Sequence, residues 1–357
     1  MTGAVVVGTG FGARVHVPAL RSAGFDVIAL VGRDLERTKR RADRVGVPNS
    51  SASLAGAFAF GPVDAVTIAA PPFAHAALAV EACNQGRHVI CEKPFALDCV
   101  EAEAMVVAAR RAGVTALVGH EFRWAPDRAL AARAIADGLI GEPRMATLVQ
   151  YVPLVADPDA RVPDWWFDAE RGGGWLGASG SHLVDQVRTW FGEVDHVSAT
   201  LPTVARRDGA EDSFAVRMTM RAGVEVVVQQ TAASWTPGVV GVAVVAGTDG
   251  TLELAADGVW LSDRSGRRAL PVPDDLALPS APGASDDPRH RYTHLELGPY
   301  TRLCEALRAG IEGRHESGPV PVPTFADGLA CMRVLDAIRA SAAADGRVEP
   351  VSSSPVA

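Results

Sequence analysis

The first third of the chain alternates short apolar runs with segments that can form helices, and this alternation restricts the fold most strongly. The apolar runs have the length and composition of buried strands and are Ala4–Val7, Phe25–Val31, Val63–Ala70, His88–Glu92 and Val114–Gly119. Such alternation places the strands parallel in one sheet that helices cover on both faces. The sequence therefore predicts a doubly wound α/β domain over residues 1–122.

Residues 123–357 show a different pattern, in which short turns separate successive β-rich runs. These runs are His196–Leu201, Ser213–Met220, Val224–Ala232, Gly241–Ala246 and Thr251–Ala255. Short connections favour antiparallel pairing. A Pro- and Asp-rich stretch, Pro271–Asp287, reads as a loop, and helices follow over about 300–345. We therefore expect a second α/β domain over residues 123–357 with a mostly antiparallel sheet.

The first apolar run leads directly into a glycine-rich turn, Gly8-Thr9-Gly10-Phe11-Gly12-Ala13, and then into a helix. The turn fits G-x-G-x-x-[GA], whose glycines allow a tight turn and close approach of a pyrophosphate to the backbone. The helix N-terminus adds N–H donors and a partial positive charge. The pattern alone is weak, but its strand–turn–helix context predicts a dinucleotide site at Gly8, Gly10, Phe11, Gly12 and Ala13.

The end of the second apolar run bears on the choice of nicotinamide cofactor. NAD sites typically carry Asp or Glu near this point, whereas this sequence reads Val31-Gly32-Arg33-Asp34. A missing carboxylate beside a guanidinium suits the 2′-phosphate of NADP. NADP(H) is therefore favoured, with Arg33, Arg37 and Lys39 as ligands. NAD(H) stays possible if Asp34 occupies the acidic position, and Arg37 can equally belong to a solvated helix face.

Further motifs give the chain a family resemblance. Glu92-Lys93-Pro94 ends the fourth apolar run, Ala70–His75 reads APPFAH, and Gly172–Asp185 reads GGGWLGASGSHLVD. Together with GTGFGA, they resemble the glucose–fructose oxidoreductase, inositol dehydrogenase and MocA (Gfo/Idh/MocA) family of nicotinamide-dependent oxidoreductases. Val245–Leu252 and Thr324–Leu329 resemble late motifs of the same family. The resemblance therefore covers essentially the whole chain, in the family's order.

The resemblance implies a Rossmann domain followed by an α/β domain with a large, open, mostly antiparallel sheet. It also implies a homo-dimer or homo-tetramer formed through the open face of that sheet. The implied activity is NAD(P)-dependent hydride transfer between nicotinamide and a carbinol or ketone of a sugar, polyol or related small molecule. Further cofactor contacts are implied at Ala70, Pro71, His75, Glu92 and Lys93.

By the same resemblance, Lys93 and His182 are the catalytic residues. Lys93 would lie beside the nicotinamide, where a cationic donor stabilises alkoxide character on the reacting oxygen. His182 would give or take the proton, and Asp185 shares its helix face three residues later. Family members often carry Asp one turn before this His, but here that position is Ala178. Either His182 acts alone or with water, or Asp185 substitutes, or ketone reduction is favoured over oxidation of simple alcohols.

A small set of side chains is expected near the substrate: Arg123, Trp165, Trp166, His182 and Asp185. Aromatic faces beside polar groups suit a sugar-like ring, although paired Trp residues equally suit packing at a domain junction. His290 and His294 have the i,i+4 spacing of metal ligands on a helix, but nearby Pro and Asp indicate a loop. No metal is predicted.

Composition excludes several other classes of protein. Lys plus Arg number 34 against 42 Asp plus Glu, a net charge of −8, so a nucleic-acid partner is not expected. No run reaches the ~18 apolar residues of a membrane span. Five cysteines without a C-x-x-C pair favour a cytoplasmic location over a disulfide framework. Only Lys39 and Lys93 are lysine, which singles out Lys93 because an ammonium is compact and can lose its proton.

Two alternatives to a dehydrogenase or ketoreductase stay open at this point. One is a nicotinamide-dependent glycosidase or epimerase that recycles a bound cofactor. The other is a non-catalytic nucleotide-binding protein that keeps the fold. Turnover without added cofactor would indicate the first, and nucleotide binding without hydride transfer would indicate the second.

Overall fold

The computed structural model describes residues 2–160, 162–205, 208–278, 292–314, 318 and 320–352. The chain divides into two compact units. The first unit comprises Met1–Trp124 with Leu278–Leu329, and the second comprises Ala125–Ala277 with Ala330–Ala357. Within the described ranges, no helix combines the length and the apolar composition that crossing a membrane requires.

The first unit is built on a parallel sheet with the strand order β3-β2-β1-β4-β5-β6. Its strands are β1 (Thr2–Val7), β2 (Phe25–Val31), β3 (Asn49–Ser51), β4 (Ala65–Ile68), β5 (His88–Cys91) and β6 (Ala116–Val118). The order reverses between β1 and β4, so the loops after these strands diverge at the carboxyl edge, where ligands of such sheets bind. The predicted doubly wound sheet is confirmed. Strand β3 was not predicted, because its residues are polar.

The helices of this unit begin and end at residues suited to those positions. They are α1 (Val17–Ser22), which continues a π-helical turn at Gly12–His16, α2 (Leu35–Arg44), α3 (Leu54–Phe58), α4 (His75–Asn84) and α5 (Cys99–Ala112). Asp34, Ser53 and Asp98 accept N–H groups in the first turns of α2, α3 and α5. Gly113, with a left-handed φ of 62°, ends α5.

The second unit contains a larger sheet with the strand order β14-β13-β12-β11-β7-β10-β9-β8-β15. Its strands are β7 (Pro143–Tyr151), β8 (Val194–Thr200), β9 (Ser213–Met220), β10 (Glu225–Thr231), β11 (Val240–Gly247), β12 (Gly250–Ala255), β13 (Gly258–Asp263), β14 (Gly266–Leu270) and β15 (Glu349–Pro350). Only β7 and β10 pair in parallel among the described neighbours. The expected large, mostly antiparallel sheet is therefore confirmed.

The two faces of this larger sheet differ in exposure. On β10, Val226 and Val228 are buried, whereas Val227 between them is 44% exposed. On β11, Val242 pairs with Val149 of β7 and is likewise exposed on the same side as Val227. Side chains alternate between the faces of a strand. One face of the sheet therefore forms a core, and the other presents valines to the surface of the chain.

The remaining helices are α6 (Pro126–Ala136), α7 (Ser181–Phe191), α8 (Thr293–Ile311) and α9 (Phe325–Ala343). Helix α8 begins earlier than the predicted residue 300, with the buried Pro299 inside it. Its side chains Tyr300, Leu303 and Leu307 share a core with Leu20 of α1. The expected division at residue 122 put α8 in the second domain, whereas its contacts lie in the first unit. Of the expected loop Pro271–Asp287, residues 279–287 lie outside the described residues.

Candidate functional site

The three glycines of the turn after β1 differ in their surroundings. Gly8 has φ of 114°, and a Cβ there would lie 2.3 Å from the Ala69 carbonyl oxygen. A Cβ on Gly12 would lie 2.8 Å from Val6 Cγ1, so this glycine lets the helix approach the sheet. Gly10 has no heavy atom within 4 Å of the corresponding position. The open side of the turn therefore fits a pyrophosphate against the backbone.

The other predicted residues of this turn are partly occupied with packing. Ala13 is buried in the core of the first unit, and Phe11 packs against it. The Phe11 ring also makes an edge contact with His16, with centroids 5.3 Å apart. Their roles as cofactor contacts stay predictions.

The end of β2 carries no carboxylate of the kind that is typical of an NAD site, and a side chain at Gly32 would require Thr9 and Thr38 to shift. Gly32 follows the last β2 residue, and a Cβ there would lie 2.5 Å from Thr9 Cγ2 and 2.6 Å from Thr38 Oγ1. Asp34 caps α2 by accepting the N–H of Arg37 at 2.9 Å. The carboxylate that left NAD(H) possible is thus engaged in capping the first turn of α2. Arg33, Arg37 and Lys39 are exposed.

A basic residue that the sequence analysis did not select contacts the glycine turn directly. Arg41, on the last turn of α2, donates from Nη1 to the carbonyl oxygen of Thr9. Arg41 lies three residues after the buried Thr38, so the two share the face of α2 that meets the sheet edge. The three-residue spacing between Thr38 and Arg41 was the feature of the sequence that could have indicated the position of Arg41. Arg41 places a guanidinium beside the predicted nucleotide site.

The loops after β4 and β5 are joined by His75. Its ring lies 2.8 Å from the Ala70 carbonyl oxygen through Nε2 and 3.0 Å from the Pro94 carbonyl oxygen through Nδ1. Burial lowers the pKa of His75, so a neutral ring donates to one of these carbonyls at a time. The structure thus places His75 between the two predicted cofactor loops, where it fixes Ala70 relative to the Lys93–Pro94 segment. Pro71 follows Ala70 in the first loop and is half-buried.

Lys93 follows β5 at the carboxyl edge and is half-buried. Its backbone N–H donates to Glu92 Oε2 at 3.3 Å, and the Lys93–Pro94 peptide bond is cis. Glu92 Oε1 lies 3.2 Å from Nε2 of the buried His16. Burial raises the pKa of Glu92, but the His16 hydrogen bond and the Lys93 charge outweigh it, and the pKa lies below its usual range. Glu92 is therefore an ionised, buried anchor for the lysine segment.

Two more charged side chains follow β6. Burial and the Glu92 carboxylate raise the pKa of the buried Glu121 well above its usual range. Arg123 is buried and donates to Asp327 Oδ1 at 3.0 Å and to the Pro321 carbonyl at 3.2 Å. The structure thus gives Arg123 a part in holding the start of α9. Its contact with a substrate stays a prediction.

In the second unit, His182 lies on the first turn of α7. The preceding residue, Ser181, is buried and donates to the Gly177 carbonyl at 2.8 Å. Asp185 is also buried, and Cys331 Sγ lies 3.9 Å from its Oδ1. Ala178 lies on the π-helical turn Leu176–Gly180 that precedes α7. His182 and Asp185 are three residues apart within α7, so they share a face of this helix as expected.

The tryptophans before α7 form a group of tilted rings in contact in the same unit. Trp166 has its ring centroid 6.0 Å from those of both Trp165 and Trp175. Trp175 is buried, whereas Trp165 and Trp166 are half-buried. Trp166 thus packs between Trp165 and Trp175, and both the substrate contact and the junction packing of the pair stay predictions. The partly exposed ring faces still suit a sugar.

Comparisons with known proteins now decide the family. A model described as "Oxidoreductase family, NAD-binding Rossmann fold" matches residues 2–120, and the GFO/IDH/MocA C-terminal domain matches residues 129–253. The chain belongs to the Gfo/Idh/MocA family. This confirms the resemblance found in the sequence motifs. The predicted N-terminal domain thus matches the family's NAD-binding domain, and the predicted second domain matches the family's C-terminal domain.

Several Gfo/Idh/MocA relatives resemble the chain closely. D-Apiose dehydrogenase of Paraburkholderia graminis is 32% identical, over 78% of this chain and 74% of that protein. An uncharacterized oxidoreductase of Synechocystis is 35% identical over 55% of this chain, and the match spans about half of that protein, 53%. Levoglucosan dehydrogenase in complex with NADH and levoglucosan has a TM-score of 0.84 at 23% identity, covering 98% of this chain and 99% of that one. This last likeness shows the fold.

The individual site residues stay predictions within this family framework. In the first unit the structure brings the glycine turn, Ala70 and Lys93 to one edge of the parallel sheet, and it puts His182 and Asp185 on one helix of the second unit. Of the histidines considered for a metal, His294 lies in α8 rather than in a loop. His290 lies outside the described residues.

Proposed function

We propose that the chain is an NADP(H)-dependent oxidoreductase that transfers hydride between nicotinamide and a carbinol or ketone of a sugar or polyol. The observation that carries this proposal is the carboxyl edge of the first sheet, where the open glycine turn after β1 and the anchored Lys93 after β5 both lie. When bound, the nicotinamide would supply or accept the hydride. A sugar substrate is supported by the relatives that act on D-apiose and levoglucosan.

In this proposal, the chain's own groups handle the proton. Lys93 would donate to the reacting oxygen and stabilise its alkoxide character in a site shielded from water. His182 would exchange the hydroxyl proton, with Asp185 on the same helix face as its neighbour. Ala178 offers no carboxylate one turn before His182, which favours ketone reduction over oxidation of a simple alcohol. The half-buried Trp165 and Trp166 would contact the sugar ring.

The decisive experiment replaces the two lysines in turn. Lys93→Ala should lower kcat by about 10³-fold because a general acid contributes roughly 10²–10⁴-fold. The Kd for NADPH should change less than threefold, as measured by fluorescence titration. Lys93→Arg should also lose turnover, because a planar guanidinium cannot replace a compact ammonium. Lys39→Arg is the matched control and should keep most of the activity. Full turnover of Lys93→Ala with D-apiose or levoglucosan would overturn the assignment.

The preference for NADP rests on the end of β2. Gly32 leaves no acidic side chain beside the turn, and Arg33 and Arg41 offer guanidinium groups that suit a phosphate. We expect kcat/KM for NADPH to exceed that for NADH by at least about tenfold, as a charge-assisted contact of roughly 1.5–3 kcal/mol implies. Equal or inverted values would assign the site to NAD(H).

We further propose a cytoplasmic homo-dimer or homo-tetramer formed through the exposed face of the larger sheet. The exposed valines on β10 and β11 support this, because exposed apolar surface of this kind is typical of an interface. Sedimentation velocity at micromolar concentration tests the assembly. A monomer at all concentrations would contradict it.

A glycosidase or epimerase with a recycled cofactor is the second candidate, and Ala178 is the observation that favours it. Such an enzyme would retain its nucleotide through purification and would turn over without added NADPH. Absorbance at 340 nm in the purified protein, followed by turnover after removal of free nucleotide, distinguishes the two. Hydride transfer that depends on added NADPH supports the dehydrogenase.

A further inference from the structure

His16 is a buried histidine outside the motifs described above, and it contacts Glu92, the residue that precedes Lys93. His16 ends the helical turn after the glycine loop and has no exposed surface. Its ring stacks on Tyr300 of α8 at 4.3 Å between centroids, and Phe11 contacts its edge. Nδ1 lies 3.0 Å from Thr67 Oγ1 on β4, and Nε2 lies 3.2 Å from Glu92 Oε1. Both ring nitrogens are therefore engaged inside the first unit.

The hydrogen-bond partners fix which way the His16 ring faces. The Glu92 carboxylate is ionised and can only accept, so Nε2 carries the hydrogen that it donates to Oε1. Nδ1 meets Thr67 Oγ1, a hydroxyl that can donate its hydrogen to the nitrogen or accept an N–H from it. In either case the Thr67 hydroxyl holds the ring with Nε2 towards the carboxylate, as the orienting partner of a functional histidine commonly does.

The same carboxylate holds the backbone of Lys93. Glu92 Oε1 is assigned to His16, and Oε2 accepts the Lys93 N–H at 3.3 Å. The carboxylate also fills the space beside Gly119, where a Cβ would lie 2.8 Å from Oε1. Because residue 119 is glycine, the carboxylate has room at this position, and the His16 contact holds Oε1 there. One chain of contacts runs from Thr67 through His16 and Glu92 to Lys93.

We infer that His16 is a positioning residue that fixes Lys93 through Glu92, with Thr67 fixing the orientation of the His16 ring. The inference rests on the proposed function for the catalytic role of Lys93. A displacement of about 1 Å at a catalytic group can cost on the order of 10²-fold in rate, so the chain of contacts would act on kcat. It would change nucleotide affinity much less, because the open side of the glycine turn at Gly10 takes no part in these contacts.

The test uses variants that differ in hydrogen bonding more than in volume. Thr67→Val removes the hydroxyl and keeps the shape, and Thr67→Ser keeps the hydroxyl. His16→Leu removes both ring contacts, whereas His16→Gln can still place an N–H near Glu92. His88→Leu is the matched control, because it removes a histidine whose Nδ1 accepts the Thr115 N–H at 3.0 Å at the opposite, amino end of β5.

The scarcity of lysine supplies a readout that does not depend on turnover. Reductive methylation with ¹³C-formaldehyde labels only Lys39, Lys93 and the α-amino group, and Lys39→Arg assigns the lysine signals. The Lys93 signal should move in His16→Leu and Thr67→Val, stay in place in Thr67→Ser and His88→Leu, and move less in His16→Gln. The exposed Lys39 signal should stay constant throughout.

Turnover of the unmethylated variants completes the test. We expect kcat to fall about 10²-fold in His16→Leu and about tenfold in Thr67→Val, with less than a threefold change in Kd for NADPH, as loss of positioning predicts. An unmoved Lys93 signal, or an unchanged kcat, in both variants would overturn the inference even if their unfolding midpoints fall. If the wild type transfers hydride to no sugar, the proposed function fails, and the Lys93 signal still decides whether His16 positions this residue.

Discussion

The central strand β1 of the first unit and the strand β10 of the second are both rich in valine, but they bury their side chains differently. Val5 and Val6 are adjacent in β1, and neither has exposed surface. Val227 and Val228 are adjacent in β10, and only Val228 is buried. A parallel sheet covered by helices on both faces buries its strands completely, whereas a sheet with one open face buries alternate residues.

This difference determines which part of each unit is accessible to a ligand or to another molecule. In the first unit the middle of every central strand is occupied by the core, so ligand contacts are confined to the loops at the strand ends. In the second unit the middle of the strands reaches a surface, so β7, β10 and β11 can contact another molecule along their length. The same residue type therefore lies in the core of one unit and on the accessible surface of the other.

The largest expected effects on stability come from glutamate substitutions in the two adjacent valine pairs. Val5→Glu, Val6→Glu and Val228→Glu should each cost more than about 4 kcal/mol of unfolding free energy, because each buries a charge without a partner. Val227→Glu should change the unfolding free energy by less than about 0.5 kcal/mol and dissociate the proposed oligomer. Urea unfolding and sedimentation velocity measure the two effects.

Val100→Glu serves as the control for the glutamate scan, because Val100 is an exposed valine on α5 with 76% of its surface accessible. It should leave both the stability and the assembly unchanged. Equal losses for Val227→Glu and Val228→Glu would show that both faces of the larger sheet are covered within one chain.

Alanine substitutions at two glycines of the turn separate stability from nucleotide binding at the edge of the first sheet. Gly8→Ala should cost about 3 kcal/mol, because the residue is at φ of 114° and its Cβ would collide with Ala69. Gly10→Ala has open space and should keep its stability, yet weaken NADPH binding. Thermal unfolding with and without NADPH measures both. Equal stability of the two variants would contradict the separate tasks assigned to these glycines.

The ion pair that holds the start of α9 has a smaller effect and depends on pH. Burial raises the pKa of Asp327, but Arg123 and hydrogen bonds from Thr324 lower it to about 2. Because the pKa is depressed, the stabilisation is present above the unfolded value near 3.8 and is lost as pH falls towards 2. Asp327→Asn should cost about 2 kcal/mol at pH 7, and roughly half of that at pH 3.

Asp336→Asn, on the same helix, is the control for this ion pair. Asp336 pairs with Arg339 at 2.9 Å, but the two side chains are 34% and 36% exposed. Such a surface pair should contribute less than about 1 kcal/mol at either pH. Urea midpoints at pH 7 and pH 3 give both differences, and a pH-independent loss for Asp327→Asn would refute the assigned pKa.

The smallest expected effect concerns cofactor choice at the first sheet. Arg41→Gln should lower the NADPH-to-NADH ratio of kcat/KM by about tenfold, because it removes one charge-assisted contact beside the glycine turn. Arg40→Gln changes the neighbouring exposed residue of α2 and should leave the ratio unchanged. An effect of Arg40→Gln equal to that of Arg41→Gln would indicate a general influence of charge rather than a specific contact.

The sequence predicted the local features of the first unit well because they depend on neighbouring residues. The glycine turn and the strand that leads to Lys93 both follow from short-range patterns. The polar strand β3 was missed because three residues without an apolar run give no periodic signal. Helix α8 was predicted only from residue 300, since Pro299 usually ends a helix, whereas here the core around Tyr300 stabilises it.

The sequence by itself determined the fold class, the nucleotide-binding turn and the family, because spacing along the chain carries each of them. Only the tertiary structure decided which residues meet across long separations. It brought Tyr300 and Glu92 to His16, turned Arg41 towards Thr9 and packed Thr9 and Thr38 against Gly32. These contacts arise from packing between segments far apart in the chain, for which a single sequence has no periodic or local signal.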